Sequence, residues 1–352
     1  MTAPRDIEVI APNFKRRLSG VTATVVRLVP VQSKDINIVA TGPVLPDHVP
    51  QIPLASLITL PRSGPGPNGW RVWHARRNVE MIGGLALKYL LGKKLKLLFT
   101  SASQREQTGV TRWLIRRMDA VVATSDKTAG YLQVPAQVIM HGIDTTGFSP
   151  AEDRAALRRK LGVPDTGPLI GCYGRIRAQK GTDVYVDAMI RVLRDHPDAT
   201  ALVMGRATEK YVSFDKGLRE KVTASGLADR ILFMPEVPPE AMADWYRILD
   251  LYIAPQRWEG FGLTPIEAMA TGCPVIATRV GAFEALVVEG ETGLLIDPGE
   301  VDQMVVATDR LLSDRDTLTA WRAHARAHVQ SRFSIDSEAQ ALIALYRQLL
   351  NS

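Results

Sequence analysis

The sequence predicts an α/β protein that contains two Rossmann-like domains with parallel sheets. Short apolar runs rich in β-branched residues alternate with helical patterns along all 352 residues, as in repeated strand–helix–strand units. These runs do not alternate with polar residues, which is typical of strands buried on both faces of a parallel sheet. We predict strands at 7–10, 36–40, 95–100, 120–124 and 136–140, and then at 169–173, 200–204, 231–234, 251–254, 275–278 and 293–296.

A boundary between the two domains is expected near residue 150. Segment 145–167 contains several prolines and glycines around one short charged helix, and a strand pattern follows directly. The two domains are therefore predicted to span 1–150 and 151–352. Apolar residues recur at helical spacing between 339 and 350, and we expect this last helix to return to the N-terminal domain.

Composition and hydropathy indicate a globular protein of the cytoplasm. Hydrophobic residues make up 46% of the chain and charged residues 23%, the balance of ordinary soluble domains. The first residues lack the apolar core of a signal peptide, and no apolar run reaches the ~20 residues that span a membrane. Cys172 and Cys273 lie in apolar runs typical of strands, so we expect two small core residues in a reducing compartment rather than a disulfide framework.

Positive charge is concentrated in the first half of the chain. Residues 1–150 contain 19 Lys and Arg against 9 Asp and Glu, a net charge of +10, whereas residues 151–352 carry −4. This asymmetry suggests an anionic partner for the first half, and a basic surface that only aids solubility is the alternative. Tryptophans stand among arginines in two places, which suits a membrane surface, nucleic acid or an ordinary half-buried helix. These residues are Trp70, Trp73 and Trp113 with Arg71, Arg76, Arg77, Arg112, Arg116 and Arg117.

A glycine-rich motif follows the predicted strand at 251–254. Residues 259–267 read Glu-Gly-Phe-Gly-Leu-Thr-Pro-Ile-Glu, which predicts a helix with Thr264 as N-cap and Glu267 in a capping box. A helix that starts at the carboxyl end of a parallel strand favours phosphate binding. The glycines let a ligand approach the backbone, and Glu259 is placed to accept hydrogen bonds from sugar hydroxyls. The alternative is a solvated Glu259 and a Glu267 that only caps its helix.

A second loop bounded by glycines follows the predicted strand at 169–173. It reads Gly174-Arg-Ile-Arg-Ala-Gln-Lys-Gly, and a helix is predicted directly after it. Arg175 and Lys180 would place two cations on one strand-to-helix turn, which suits a diphosphate; a basic surface loop is the alternative. Because the carboxyl ends of parallel strands share one edge of the sheet, we expect these cations to converge with Glu259 and Glu267 on one ligand.

Together these motifs resemble those of the retaining, metal-independent glycosyltransferases of GT-B fold. The pattern Gly-Arg-x4-Lys-Gly, followed by Glu-Gly-Phe-Gly-Leu-x3-Glu-Ala-Met-Ala-x-Gly-x-Pro-Val, covers the second half of the chain, and the likeness is weaker in the first. Segments 138–144 and 293–298 match as well. The resemblance implies two Rossmann-like domains that face a central cleft, with the acceptor on the first, the nucleotide-sugar donor on the second and the C-terminal helices packing back.

The resemblance also implies a role for each matching residue. Arg175 and Lys180 would neutralise the donor diphosphate, Glu259 would hold hydroxyls of the donor sugar, and Glu267 would bind the nucleotide ribose. Gly20, in segment 16–21, matches the glycine loop by which the first domain approaches the donor. The donor-binding set is Gly20, Gly174, Gly260, Phe261, Gly262, Leu263, Thr264 and Glu267.

The first half departs from the family pattern at one expected catalytic position. Many members have a histidine after the strand that here ends at Thr100, but this sequence continues Ser-Ala-Ser-Gln. His141 stands where many members have asparagine. Ser101, Ser103, Gln104 and His141 are therefore the candidates in this domain.

We expect no metal ion and no cofactor besides the nucleotide-sugar co-substrate. Asp314 and Asp316 match the Asp-x-Asp of metal-dependent transferases, but they stand between two predicted helices, where a turn and N-cap is expected. His324 and His328 are one helical turn apart, and without a third ligand we expect a solvated face.

The sequence as a whole is most similar to the lipopolysaccharide-core mannosyltransferases of Gram-negative bacteria. This likeness implies GDP-mannose as donor, a saccharide on an anionic lipid as acceptor, and peripheral contact with the inner face of the cytoplasmic membrane, without nucleic acid. Another nucleotide-sugar donor, another glycolipid or polysaccharide acceptor, a nucleotide-sugar epimerase of the same fold and a non-catalytic basic module remain as alternatives.

Overall fold

The computed structural model of the chain describes residues 3–16 and 20–352. Two compact units are present, one formed by the described residues up to Gly142 together with Ile335–Ser352, and the other by Ile143–Ser334. Each unit contains one sheet, of seven strands in the first and six in the second. All neighbouring strands of both sheets are paired in parallel, so the predicted α/β fold with two parallel sheets is confirmed.

The sheet of the first unit has the strand order β3-β2-β1-β4-β5-β6-β7. The strands are β1 (Val9–Pro12), β2 (Ile38–Thr41), β3 (Gln51–Ile52), β4 (Arg71–Ala75), β5 (Leu95–Ser101), β6 (Ala120–Ala123) and β7 (Gln137–Val138). The helices are α1 (Gly20–Gln32), α2 (Ser56–Thr59), α3 (Asn78–Tyr89), α4 (Gly109–Ile115), α5 (Asp126–Gly130) and, from the end of the chain, α14 (Ile335–Asn351).

The central strand β4 was not predicted from the sequence, which left a membrane or nucleic-acid surface and a half-buried helix as the interpretations of segment 70–77. Arg71 lies within the strand and is buried; its guanidinium donates to the carbonyls of Ile7 at 2.6 Å and Pro4 at 3.2 Å. Trp73 is fully buried, and its indole N–H donates to the carbonyl of Glu80 at 2.8 Å. The surface interpretation of this segment is therefore wrong. Backbone carbonyls accept the hydrogen bonds of the buried Arg71 guanidinium, and the indole ring of Trp73 packs in the core.

The second unit has the strand order β10-β9-β8-β11-β12-β13, which is the doubly wound Rossmann arrangement. The strands are β8 (Leu169–Tyr173), β9 (Thr200–Met204), β10 (Ile231–Met234), β11 (Leu251–Ala254), β12 (Val275–Thr278) and β13 (Gly293–Ile296). The helices are α6 (Arg154–Leu161), α7 (Thr182–Asp195), α8 (Val212–Ala224), α9 (Met242–Arg247), α10 (Thr264–Ala270), α11 (Phe283–Leu286), α12 (Val301–Ser313) and α13 (Arg315–Arg332). Cys172 and Cys273 are buried and free, and burial raises the pKa of both thiols to about 12.

The two units divide between Gly142 and Ile143 rather than after residue 150. The segment that follows packs with the second unit, since the Arg247 guanidinium donates to the carbonyls of Gly147 at 2.6 Å and Ser149 at 2.7 Å. The last helix, α14, belongs to the first unit, as the sequence analysis expects. There the buried Glu338 carboxylate accepts the backbone N–H of Gly142 at 2.8 Å and contacts His141 Nδ1 at 2.7 Å.

Candidate active site

Both sequence motifs of the second half emerge at one point of the second sheet. Strands β8 and β11 are neighbours, and the strands that follow each of them are added on opposite sides. In open α/β sheets, ligands bind beyond the carboxyl ends of the strands at such a switch point. Loop 174–181 follows β8 and loop 255–263 follows β11, so the fold brings the two motifs together there.

Hydrogen bonds and one glycine hold these two loops in contact. The backbone N–H of Arg257 donates to the Gln179 carbonyl at 3.0 Å, and the Arg257 guanidinium donates to the Asp183 carboxylate at 2.7 Å. Gly181 has a φ of 70°, and a Cβ there would lie 1.8 Å from the Pro255 carbonyl oxygen. The motif therefore requires glycine at this position, both for its dihedral angle and for the approach of the other loop.

Lys180 and Glu259 form an ion pair between the two loops. The Lys180 ammonium donates to Glu259 Oε2, and Oε1 of the same carboxylate accepts the backbone N–H of Gly260 at 3.1 Å. The Lys180 and Glu259 side chains are 22% and 20% exposed, so the pair is accessible from solvent. The cation expected to meet a diphosphate and the carboxylate expected to meet a sugar are thus mutually neutralised.

Arg175 and Glu267 line one cavity of about 230 Å³ in the second unit. The cavity lies among the loops that follow β8, β9 and β10 and the start of α10. Gly174 and Gly205 belong to its wall with φ angles of 137° and 146°, and a Cβ on Gly205 would lie 1.8 Å from the Gly174 carbonyl oxygen. The structure thus joins the exposed Arg175 with Glu267, whereas Lys180 lies against Glu259.

The expected capping box at α10 is wrong. The N-cap residue is Leu263 in a helical conformation without a side-chain cap, and Thr264 is the first residue of the helix. Glu267 Oε2 instead accepts a hydrogen bond from the Tyr246 hydroxyl at 2.9 Å. Burial, together with the neighbouring Glu267 carboxylate, holds the pKa of Tyr246 well above its usual range, so the hydroxyl remains a donor.

The glycine-rich loop before α10 is shaped by packing from the next loop of the sheet. Gly262 has a φ of 86°, and a Cβ there would lie 2.2 Å from the ring of Phe283. Gly281 has a φ of 60°, and a Cβ there would lie 3.2 Å from Glu259 Cβ. Phe261 is buried, while the remaining motif residues Gly260, Leu263 and Thr264 are half-buried. The Glu259 loop therefore also depends on Gly281, a residue the sequence motifs did not indicate.

Comparison with known proteins identifies the family. Residues 153–328 match the family of Glycosyl transferases group 1. The chain is 52% identical to the lipopolysaccharide core biosynthesis mannosyltransferase LpsB of Rhizobium meliloti, over 98% of this chain and 99% of that protein. It belongs to the group 1 glycosyltransferases.

Two further likenesses extend over nearly the whole chain. The lipopolysaccharide core biosynthesis mannosyltransferase LpcC of Rhizobium leguminosarum bv. viciae is 48% identical over 98% of this glycosyltransferase and 97% of its own length. Among solved structures, Anabaena HepE in complex with UDP superimposes with a TM-score of 0.83 at 19% identity, over 96% of this chain and 99% of that one. At this identity the structural likeness supports the two-domain fold.

The first unit of this glycosyltransferase contains Ser101, Gln104 and His141, which the sequence analysis names as candidates in the absence of the family's histidine. Ser101 is the buried last residue of β5, and its Oγ accepts the backbone N–H of Ser103 at 3.4 Å. The Gln104 amide donates to Ser125 Oγ at 3.4 Å, and the buried His141 contacts Glu338. Gly20 is the exposed first residue of α1, and no described atom lies within 4 Å of a Cβ built on it. Residues 17–19 of the predicted glycine loop lie outside the described residues.

A buried polar cluster at the end of β4 was missed together with that strand. His74 Nδ1 contacts the Tyr346 hydroxyl at 2.6 Å, and Nε2 contacts Thr100 Oγ1 at 2.7 Å. An Arg76 guanidinium nitrogen lies 3.4 Å from Nδ1; because Arg only donates, Nδ1 is assigned as the acceptor and Nε2 carries the proton. Burial, and secondarily the Arg76 charge, hold the pKa of His74 well below its usual range.

Within residues 3–16 and 20–352, no cluster of three or more His, Cys, Asp or Glu side chains is arranged to hold a metal ion. Asp314 is the N-cap of α13 and accepts the backbone N–H of Thr317 at 2.9 Å, as predicted. His328 differs from its expected solvated face, because it is half-buried with Nε2 3.0 Å from the Leu286 carbonyl oxygen. Over the same residues, no helix is both long and apolar enough to cross a membrane.

Proposed function

We propose that this glycosyltransferase moves a mannosyl residue from GDP-mannose to a saccharide of the lipopolysaccharide core, with retention of anomeric configuration. The observation that carries the proposal is that Arg175 lines one cavity with Glu267 while Lys180 pairs with Glu259, all on segments that follow the neighbouring strands β8 and β11. The choice of mannose and of the core acceptor is supported by the two core mannosyltransferases that match 98% of the chain.

In this proposal the second unit binds the donor through charge. Arg175 and Lys180 stabilise the negative charge that grows on the leaving diphosphate, the guanidinium by its fork of donors and the ammonium as a point charge. Glu259 accepts hydrogen bonds from donor-sugar hydroxyls, and Glu267 accepts them from the ribose. Backbone N–H groups between Phe261 and Thr264 add neutral donors to the same ligand.

Catalysis in this proposal comes from electrostatic stabilisation and positioning. A preorganised cation gains most when the charge it meets increases in the transition state, and Arg175 and Lys180 meet that condition at a departing diphosphate. Holding donor and acceptor in a reactive orientation supplies the remainder. No metal ion takes part, since the two cations occupy the role that a divalent ion has in other transferases.

The acceptor in this proposal is carried by a membrane. The first unit would bind it, and the enzyme would work at the inner face of the cytoplasmic membrane by peripheral contact. The excess of positive charge in residues 1–150 supports this placement, because basic residues are attracted to anionic lipid head groups.

A panel of nucleoside diphosphates and nucleotide sugars tests the donor. We expect GDP and GDP-mannose to raise the melting temperature more than the UDP and ADP compounds do. A ligand that binds the folded state and not the unfolded state stabilises the folded state, and tighter binding stabilises it more. Incubation with truncated lipopolysaccharide should then give an elongated product whose new linkage is α by NMR, as retention from GDP-α-mannose requires. A stronger response to UDP compounds would overturn the donor, a β linkage would overturn retention, and an epimerised nucleotide sugar without elongation would overturn transfer.

A further inference from the structure

Two adjoining cavities whose linings differ in polarity lie on the first unit. The first, called here the polar pocket because Arg16 and Gln51 line it, has a volume of about 610 Å³, and its other walls include Ile52 and Pro53. The second, called here the apolar groove, has a volume of about 410 Å³ between α2 and α3. Phe14 and Leu54 line both, so one continuous surface passes from a mixed lining with a cation to a purely apolar one. The other walls of the groove include Leu57, Ile58, Ala86, Leu87, Leu90 and Leu91.

The shared wall is fixed by packing. Phe14 comes shortly after β1, and its ring lies 5.9 Å from the ring of Trp73, which is fully buried. Gly83 of α3 faces the same ring, since a Cβ on Gly83 would lie 2.7 Å from Phe14 Cε2. A side chain at position 83 would push the Phe14 ring away, so this glycine keeps the junction of the two cavities in its present shape.

The apolar groove exposes large apolar side chains to water. Ile58 is 66% exposed and Leu90 is 81% exposed, and the groove joins them into one patch. Scattered exposed apolar residues are ordinary, but a contiguous patch indicates a binding surface. One cation belongs to this surface and another lies near it. The exposed Arg16 lines the polar pocket, and the exposed Arg62 has its Nε 3.9 Å from a Cβ built on Gly92, the chain neighbour of the groove residue Leu91.

We propose that the polar pocket and the apolar groove together bind a glycolipid acceptor, with its anionic saccharide in the pocket and one acyl chain in the groove. The inference rests on the proposed function, because the bound glycolipid is the molecule that receives the sugar. A water-soluble saccharide would leave the groove empty, and a second copy of the chain would not require the polar pocket. An anionic amphiphile matches the apolar groove, the polar pocket and the positive charge of Arg16 within that pocket.

Paired acceptors test the groove with the full-length enzyme. One acceptor is truncated lipopolysaccharide from a strain in which this gene is deleted, and the other is the same material after alkaline removal of its acyl chains. In the double variant Ile58→Glu/Leu90→Glu, the ratio of kcat/KM for the acylated over the deacylated acceptor should fall about tenfold or more, since charges would line the chain's path. Val306→Glu, at a residue of α12 that is 68% exposed, should leave that ratio as it is.

Alkyl maltosides of increasing chain length, used below their micelle concentration, test the groove with the wild-type enzyme alone. Each added methylene should improve inhibition about fourfold while it is buried in the groove, and the double variant should lose this dependence. Three results would overturn the acyl-chain assignment: inhibition that does not change with alkyl chain length, an unchanged kcat/KM ratio in the double variant, or wild-type dimers that the double variant abolishes. If neither acceptor is elongated but inhibition still rises with chain length, the proposed function is contradicted and the groove remains a binding site for alkyl chains.

Discussion

The ammonium group of Lys180 contacts the carboxylate of Glu259 across the two loops that follow β8 and β11. In the proposed reaction this pair is exchanged when the donor arrives, because the diphosphate replaces Glu259 as the partner of Lys180. One charge-assisted hydrogen bond is then substituted by another, and Glu259 becomes free to accept hydrogen bonds from the sugar. Binding of the diphosphate and of the sugar are thereby coupled through two residues.

Arg175→Ala and Lys180→Ala should each lower kcat by about two to three orders of magnitude, because each removes a cation that stabilises charge developing in the transition state. The melting temperature should change little, since an accessible ion pair contributes at most about 1 kcal/mol. Lys216→Ala, which removes an exposed cation of α8, is the matched control in both assays. Turnover near the wild-type value in both variants would exclude the diphosphate role.

Tyr246→Phe should raise the KM for the donor by about tenfold, with a smaller effect on kcat. This is the size expected from the loss of one hydrogen bond to a charged group, which contributes about 1.5 kcal/mol or more. The variant keeps the buried ring but releases the Glu267 carboxylate from the hydroxyl that orients it. Calorimetric titration with the nucleoside diphosphate measures the same loss without turnover. Tyr185→Phe is the control, because its buried hydroxyl donates to the Ile170 carbonyl at 2.8 Å. Equal donor affinity in the two variants would make Tyr246 a residue of stability alone.

The positions of the proposed donor-binding residues could be predicted from the sequence because these residues lie close together along the chain. Arg175 and Lys180 belong to one loop and Glu259 and Glu267 to another, so motif spacing and strand order were enough to place them at one sheet edge. The partner of Glu267 was beyond this reasoning, because Tyr246 lies on a different helix and its contact exists only after folding. The pattern also favoured a capping box. It does not form because the N-cap residue is Leu263, whose side chain cannot accept a hydrogen bond.

The first unit was less predictable because its central strand contains polar residues. Arg71 and His74 interrupt the apolar pattern of β4, and their burial depends on carbonyl and hydroxyl partners from distant segments. Tyr346, one of those partners, is separated from His74 by most of the chain. The sequence pattern therefore suggested a basic surface or a half-buried helix where the structure has a buried, hydrogen-bonded strand.

EDTA should leave the transfer rate unchanged, and added Mg²⁺ or Mn²⁺ should not increase it. In the proposed mechanism, Arg175 and Lys180 supply the positive charge at the diphosphate that a metal ion would otherwise provide. Enzyme purified with chelator and assayed with and without metal gives the measurement, with a metal-dependent transferase in parallel to show that the chelator is effective. Activity that disappears with EDTA and returns with Mg²⁺ would contradict this prediction.

Acid should destabilise the protein partly through His74. Folded His74 stays neutral because its pKa is held well below the usual range, whereas unfolded His74 takes up a proton below about pH 6.5. The free energy of unfolding should therefore fall as the pH drops below that value, by up to about 1.4 kcal/mol per pH unit from this residue. Denaturant titrations between pH 7 and 5 should show a shallower fall in His74→Gln than in the exposed-site control His324→Gln. Equal slopes in the two variants would exclude the contribution.

The exposed basic face at the end of α4, formed by Arg112, Arg116 and Arg117, should bind anionic membranes reversibly. Arg112, Arg116 and Arg117 are exposed, and the Arg117 guanidinium lies 3.6 Å above the ring of Trp113, which is itself 51% exposed. An amphipathic ring beside cations suits the head-group region. Each basic residue near an anionic surface contributes about 1 kcal/mol, and the attraction fades within a Debye length of about 10 Å at 0.1 M salt.

Co-sedimentation with vesicles at low and high salt measures this association. Wild-type protein should sediment with anionic vesicles at low salt and be released at high salt, because screening weakens attraction between exposed charges. Replacing Arg112, Arg116 and Arg117 together with alanine should abolish sedimentation, whereas the same change at the exposed Arg310 and Arg315 of the second unit should not. Both variants should still bind the nucleoside diphosphate, which separates loss of membrane contact from loss of folding. Equal sedimentation with neutral and anionic vesicles, or none with either, would show that the basic face serves solubility and that this face does not dock on membranes.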